Sequence, residues 1–240
     1  MRILITNDDS VSAAQLLPLI KWCQQYAHVT TVVPKYEQSG KSHSINIHDP
    51  FEIMQVELEP GISVWTVDST PADCIRFAVT CLKQDFDLVL SGINRGFNLG
   101  RDAMYSGTFS AACEAAHQGI PAIAFSTSIK YYASAVQHLE EIFRFFKEYH
   151  LLKAANLYNV NIPVDPKGIR ITQQGGPYFA DAFTSLGNGL YQANGRSVWQ
   201  DSQNDALDTD ATMHGYISIT PMTLDRTDHT VFTVLKSLNP

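Results

Sequence analysis

The sequence predicts an α/β protein: a doubly wound, mostly parallel sheet followed by a β-rich carboxyl-terminal extension. Three observations carry this. Short apolar runs alternate with helix-length amphipathic segments as far as residue 150, the pattern of a parallel sheet covered by helices on both faces. The first run, Ile3-Leu4-Ile5-Thr6, stops abruptly on Asn7-Asp8-Asp9-Ser10, as a buried parallel strand does when it delivers polar groups to its carboxyl end. Beyond Leu151 the texture changes to short strand-like stretches separated by glycine and asparagine. The expected organisation is therefore a core over residues 1–150 and an extension over 151–240, the extension contributing to oligomerisation and its last strand returning to the core.

Composition narrows the function classes. The 240 residues are 45% hydrophobic and 17% charged, enough for a large core. A net charge of -7 with a pI near 5.5 argues against gripping polymeric nucleic acid along an extended face, while a small phosphate ligand remains compatible with a local metal site. No apolar run has bilayer length and no export signal leads into the first strand, so a cytoplasmic protein without membrane contact is expected. Cys23, Cys74, Cys81 and Cys113 lack metal-type spacing and fall in helical segments; buried thiols in a reducing compartment are expected, with Cys74 and Cys81 on one helix face.

Taken in order, Ala13 to Tyr26 has helical spacing, with Pro18 placed either to kink the helix or to lie near its start, and His28 to Val33 is a strand. Ser44 to Ile47, Phe51 to Leu58 and Ile62 to Val67 read as strands of a side ribbon, because no helix separates them. Thr70-Pro71-Ala72-Asp73 is a helix start, with Asp73 a first-turn acid, and the helix runs to about Leu82. Asp87 to Ser91 is a buried strand, Phe109 to Gln118 a small-residue helix, Gly119 to Ser126 a turn and strand, and Tyr131 to Tyr149 an amphipathic helix. Asn156 to Ile162 and Ile169 to Gln173 are strands. Pro163 to Asp210 is a hairpin-rich extension that reads either as an arm reaching toward another subunit or as a solvated β appendage, and Tyr216 to Pro221 is the last strand.

The chemistry gathers at strand ends. Asn7, Asp8 and Asp9 read equally as a helix-capping turn or as a cation site. Ser39 and Asn94 also follow strands, and in a doubly wound sheet such positions converge on one cleft. Every donor of Asp8, Asp9, Ser39 and Asn94 is oxygen, which favours a hard divalent cation, Mg2+ or Mn2+, over zinc. Glycines 92, 96 and 100 alternate with Asn94 and Asn98 in a loop that leads to Ser106-Gly107-Thr108 at a helix start, a pattern suited to an anion. Asn98, Ser106, Gly107 and Thr108 are the expected phosphate donors. A metal-polarised phosphate monoester attacked by water follows, with Asp8 and Asp9 as the catalytic acids and the choice of base or nucleophile open. His43 is the one histidine near this site and reads as incidental.

Asn7-Asp8-Asp9, Gln38-Ser39-Gly40, Thr70-Pro71-Ala72-Asp73-Cys74, Ser91-Gly92-Ile93-Asn94 with Gly96, Asn98 and Gly100, Tyr105-Ser106-Gly107-Thr108, Gly119-Ile120-Pro121 and Gly215-Tyr216-Ile217-Ser218-Ile219-Thr220-Pro221 together resemble the SurE survival-protein family over nearly the whole chain. The resemblance implies a metal-dependent phosphatase acting on 5′- and 3′-nucleoside monophosphates, with one metal per subunit at Asp8, Asp9, Ser39 and Asn94. It also implies a Rossmann-like core, an extended part exchanged between subunits, and a homodimer or homotetramer. The chain departs from the family pattern at Ser10, where members usually carry glycine, and at Asn46, where threonine is commoner.

A non-catalytic or weakly active metal- or nucleotide-binding regulatory module is the alternative. A receiver-like module lacks its acceptor aspartate and late lysine here. An aspartyl-phosphate phosphatase expects Asp-x-Asp, and a zinc deacetylase expects nearby histidines.

Overall fold

Strand β1 (Arg2–Thr6) is buried from Ile3 onward and sits near the middle of a nine-stranded sheet. Its side chains alternate between two cores: Ile3 and Ile5 face helix α1 (Leu16–Gln24), while Leu4 faces the opposite layer. The computed structural model describes residues 1–238; the last two residues of the expected extension lie outside the described residues. Helix α1 is shorter than the expected Ala13 to Tyr26, because residues 11–15 form turns that begin with Ala13 donating to the Ser10 carbonyl. Pro18 falls in the first turn, where its missing N–H costs no intrahelical bond.

Strand β2 (His28–Pro34) pairs parallel with β1. Strands β3 (Ile53–Glu59) and β4 (Ile62–Val67) form the expected antiparallel ribbon, and β4 joins β2 in parallel, so the ribbon is one edge of the main sheet. Ser44 to Ile47 is not a strand. The Asn46 main-chain N–H goes to the carboxylate of Asp73 at 2.8 Å, and the Asn46 side chain accepts from the N–H groups of His48 and Asp49, so the segment has a polar anchor in place of a ladder. Helix α2 (Pro71–Cys81) starts as its sequence dictates, with the Thr70 hydroxyl accepting from the Asp73 N–H.

From α2 the chain crosses to the far side of β1, where β5 (Leu88–Arg95) pairs parallel with it. This reversal of winding makes the carboxyl ends of β1 and β5 the topological switch point. Strand β5 outruns the expected Ser91 end through an irregularity at Gly92, whose φ is +131° and where a Cβ would collide with the main-chain oxygen of Phe125. Pairing then resumes with Asn94 beside Ser126, which carries Asn94 to the sheet's end. Helix α3 (Gly107–His117) is lined by Ala111, Ala112 and Ala115, all fully buried, and packs closely on the sheet together with α2. Strand β6 (Ala122–Thr127) is buried throughout.

The expected helix from Tyr131 to Tyr149 divides. Residues Ile129–His138 form a 3-10 helix, whose three-residue period turns Tyr132 and Ala135 inward, and only α4 (Leu139–Glu148) is α-helical, burying Leu139, Ile142 and Phe146 beside α1. After the short α5 (Leu151–Ala154), strand β7 (Leu157–Ile162) pairs parallel with β6, and the sheet continues past residue 150.

Strand β8 (Ile169–Ile171) is the far edge. A ribbon of β9 (Phe179–Ala180), β10 (Phe183–Gly187), β11 (Leu190–Ala193) and β12 (Arg196–Ser197) then projects as an arm with Phe183, Leu186, Leu190 and Tyr191 exposed. The acidic stretch before the last strand folds into α6 (Asp208–Met213). Strand β13 (Ile217–Pro221) lies between β7 and β8, antiparallel to the first and parallel to the second. Helix α7 (His229–Leu235) follows, with Val231, Phe232, Val234 and Leu235 exposed.

All four cysteines are free; Cys23, Cys74 and Cys113 are buried, whereas Cys81 is exposed, since the last turn of α2 runs off the covered face. Among the described residues no helix is long and apolar enough to cross a membrane.

Candidate active site at the carboxyl ends of the strands

Asp8 is buried and is held from two sides. The Thr108 hydroxyl donates to its carboxylate, and its main-chain oxygen accepts from the Gln38 N–H at 2.8 Å, which brings the Ser39 loop against the end of β1. Burial pushes the Asp8 carboxyl above the usual carboxylate range, and the hydroxyl and main-chain N–H of Thr108 draw it part of the way back. The start of α3 therefore faces a carboxylate of the protein itself. Gly107 makes this approach possible: a Cβ there would lie 2.9 Å from Asp8 Cβ and 3.0 Å from Oδ2.

Asp9 is half-buried, and its carboxylate accepts from the Arg95 N–H at 3.1 Å, tying the ends of β1 and β5 together. Its carboxyl is pushed up to about 6, first by burial and then by the charge of Asp8, against the pull of the Arg95 N–H. Glu37 adds like charge toward both aspartates. Sequence reasoning missed Glu37, although its place two residues before Ser39 in the loop after β2 was a usable signal. The Ser39 hydroxyl is exposed and donates to Glu37 at 2.8 Å. Asn94 turns its Nδ2 onto the Gly96 carbonyl at 2.8 Å, which leaves Oδ1 as the atom it can offer a ligand.

Asn7 donates from Nδ2 to the Ser10 carbonyl at 2.9 Å, while its Oδ1 is buried with no partner. Ser10, where the family pattern has glycine, holds the left-handed backbone that favours glycine, with φ +74°, and its hydroxyl bonds that of Ser12 at 2.8 Å.

The expected phosphate donors separate into two groups. Ser106 caps α3, its hydroxyl accepting from the Phe109 N–H, and Thr108 is engaged with Asp8. Asn98 makes four hydrogen bonds to the sheet: its N–H to Asn161, its Nδ2 to Ser126 at 2.7 Å, and its carbonyl from Asn159 and Asn161. It anchors the glycine and asparagine loop over β6 and β7, and its side-chain donor is already engaged. His43 bonds Glu114 at 2.9 Å, holding that carboxyl below its usual range and fastening the loop after Ser39 to α3. Asp73 collects Ser69, Thr70 and the Asn46 N–H into a knot beneath the same loop.

Two raised carboxyls, a third acid and an orphaned amide oxygen form a site rich in negative charge, offset at Asp9 only by the weaker pull of Arg95. Its donors are all oxygen, which fits a hard divalent cation. Among the described residues no three His, Cys, Asp or Glu side chains cluster as a metal-binding group.

Known proteins match along the whole chain. The family described as Survival protein SurE matches residues 3–181. A protein named 5'-nucleotidase SurE from Thermoanaerobacter sp. (strain X514) is 36% identical over 248 residues, covering 99% of this chain and 98% of its own. One of the same name from Clostridium beijerinckii is 36% identical over 247 residues, with 96% of each chain covered. The crystal structure of SurE protein from Aquifex aeolicus superposes with a TM-score of 0.82 at 29% identity, with 100% of both chains covered.

Proposed function

The chain belongs to the SurE family, and on that premise we propose that it is a divalent-metal-dependent phosphomonoesterase that hydrolyses nucleoside 5′- and 3′-monophosphates. The observation that carries this reading is the pair Asp8 and Asp9 at the switch point, both with carboxyls raised first by burial, Asp9 also by the charge of Asp8, with only the weaker pull of Arg95 opposing this at Asp9. Asp8, Asp9, Ser39 and Asn94 would hold one Mg2+ or Mn2+ per subunit. Such an ion, when bound, polarises a phosphoryl oxygen and neutralises charge on it.

The remaining steps belong to side chains. Thr108 and the first turn of α3 fix the Asp8 carboxylate, so its position survives substrate turnover. Asp9 lines an open cleft, and we assign to it the proton of the attacking water, which it passes to the leaving nucleoside oxygen as the P–O ester bond breaks. Asn98, clamped to Ser126, Asn159 and Asn161, fixes the glycine and asparagine loop beside the phosphate position, with the Gly96 N–H given to the Thr127 carbonyl.

The test is phosphate release from a nucleotide panel with each metal, with chelator, and in Asp8→Asn. Turnover should require the metal and fall by orders of magnitude in the variant. Metal-independent turnover, or an intact Asp8→Asn, would sink the mechanism; nucleotide binding without turnover would favour the regulatory module.

The exposed apolar side chains of the β10–β11 arm and of α7 support a homodimer or homotetramer in which these segments dock on other copies. Four free cysteines are consistent with a reducing, cytoplasmic location.

A further inference from the structure

A cleft of 530 Å³ opens directly beside Asp9, and its walls include Ala13, Ala14, Arg95, Ile129 and Tyr132. It lies at the reacting centre, because Asp9 forms part of its lining. It also lies against the glycine and asparagine loop, since a Cβ on Gly96 would touch the Ile129 side chain and the Gly96 N–H bonds the Thr127 carbonyl. A phosphate held at Asp8 and Asp9 leaves its ester oxygen, and whatever that oxygen carries, facing either solvent or this cleft.

The lining points to a heteroaromatic ring. Ala13, Ala14 and Ile129 supply an apolar patch on which a flat face can pack, Ser12, Glu37 and Lys130 make the rest of the wall polar, and the volume falls within the range of about 300–1,000 Å³ typical of small-molecule sites. The Tyr132 hydroxyl is buried beside the Gln15 main chain and makes no hydrogen bond of good geometry there, although a buried phenol normally finds one. Arg95 spends its main-chain N–H on Asp9, while among the described residues its guanidinium forms no ion pair. A planar cation over an apolar wall can stack on a base and donate to its ring acceptors. A larger groove of 840 Å³ runs along α3 past Met104 and Phe109, but neither Asp8, Asp9, Ser39 nor Asn94 lines it.

We propose that this cleft receives the nucleoside base of the substrate, with the Tyr132 hydroxyl donating to a base acceptor and the Arg95 guanidinium covering the ring. This rests on the nucleotidase reading and names the residues that make it selective for nucleotides over other phosphate esters.

The experiment compares kcat/KM for AMP and for ribose 5-phosphate, which carries the same phosphate and sugar without the base. Wild type, Tyr132→Phe and Arg95→Met are measured, alongside calorimetric binding of AMP in the presence of Mg2+. Tyr132→Phe removes one oxygen and keeps the fold. The ratio of the two kcat/KM values should fall about tenfold in each variant, through the KM for AMP, the size expected when one hydrogen bond worth about 1.4 kcal/mol is lost. An unchanged ratio, whether both substrates weaken together or neither does, overturns the proposal. So does a fall in the ratio in Met104→Ala that the cleft variants lack. If the wild type releases phosphate from neither ester, the nucleotidase reading fails. Weakened AMP binding in the two variants would then still support the cleft, and unchanged binding would remove it.

Discussion

The hydroxyl of Thr108 donates to the carboxylate of Asp8, a residue 100 positions earlier in the chain, and so joins the end of β1 to the start of α3. Replacing Thr108 with valine keeps the shape and removes the donor from a buried carboxylate. A hydrogen bond to a charged group contributes about 1.5–3 kcal/mol, so Thr108→Val should lower the melting temperature and cut turnover at least tenfold. Thr108→Ser should restore most of both. Equal turnover in valine and serine variants would show that the hydroxyl does not matter.

Gly107→Ala separates stability from activity. Alanine is the better helix former by about 1 kcal/mol, which favours the variant locally. Its Cβ, however, would lie 2.9 Å from Asp8 Cβ, so the aspartate has to shift. Phosphate release should fall about a hundredfold, the cost of misplacing a catalytic group by an ångström, with little change in thermal unfolding. A variant as active as the parent would contradict this placement.

Ser10 tests the departure from the family pattern. The left-handed backbone costs a non-glycine residue about 1–2 kcal/mol, and glycine returns about 0.5–1 kcal/mol of that as unfolded-state entropy. Ser10→Gly also loses the bond to Ser12, so its stability should stay within about 1 kcal/mol of the parent. A β-branched residue has no such compensation, and Ser10→Val should cost about 1–3 kcal/mol. Urea unfolding of both variants measures the difference.

His214 gives the extension a pH dependence. It bonds Asp205 at 2.6 Å and Asp201 at 3.1 Å, and these partners raise it above its ordinary 6.5. The folded state thus binds the proton more tightly than the unfolded chain. Its contribution is full below pH 6.5 and is lost as pH rises through the higher folded value. Stability measured from pH 6 to pH 9 should decline more in the parent than in His214→Gln, and parallel curves would exclude the pair as the cause.

Much of the sheet was legible because buried parallel strands write themselves as apolar runs. Ile62 to Val67 and the start of α2 at Pro71 agree with the sequence to the residue. That Asp8, Asp9 and Asn94 come to one end of the sheet was legible too, since Asp8 and Asp9 follow β1 and Asn94 lies at the end of its neighbour β5, although Asn94 is within that strand and not beyond it. Side-chain partners were not. Thr108 reads as a cap or anion donor until Gly107 is seen to bring α3 onto Asp8, and Asn98 reads as a ligand donor until Ser126 takes its amide. The 3-10 stretch before α4 escaped because its apolar positions satisfy both a 3.0 and a 3.6 period over one or two turns. Tyr132 escaped with it.

The arm is rooted in an unexpected place. Asp208 accepts from the N–H groups of Gly100 and Gly175, and Asp102 accepts from those of Tyr178 and Phe179. Both carboxylates fasten the arm's base to the segment that ends at Ser106, the cap of α3. Mechanically, tension on the arm travels first along this load path toward the helix that grips Asp8, and only afterwards into the sheet. A tether pulled from Leu190 should therefore stop catalysis at forces that leave the nine strands intact.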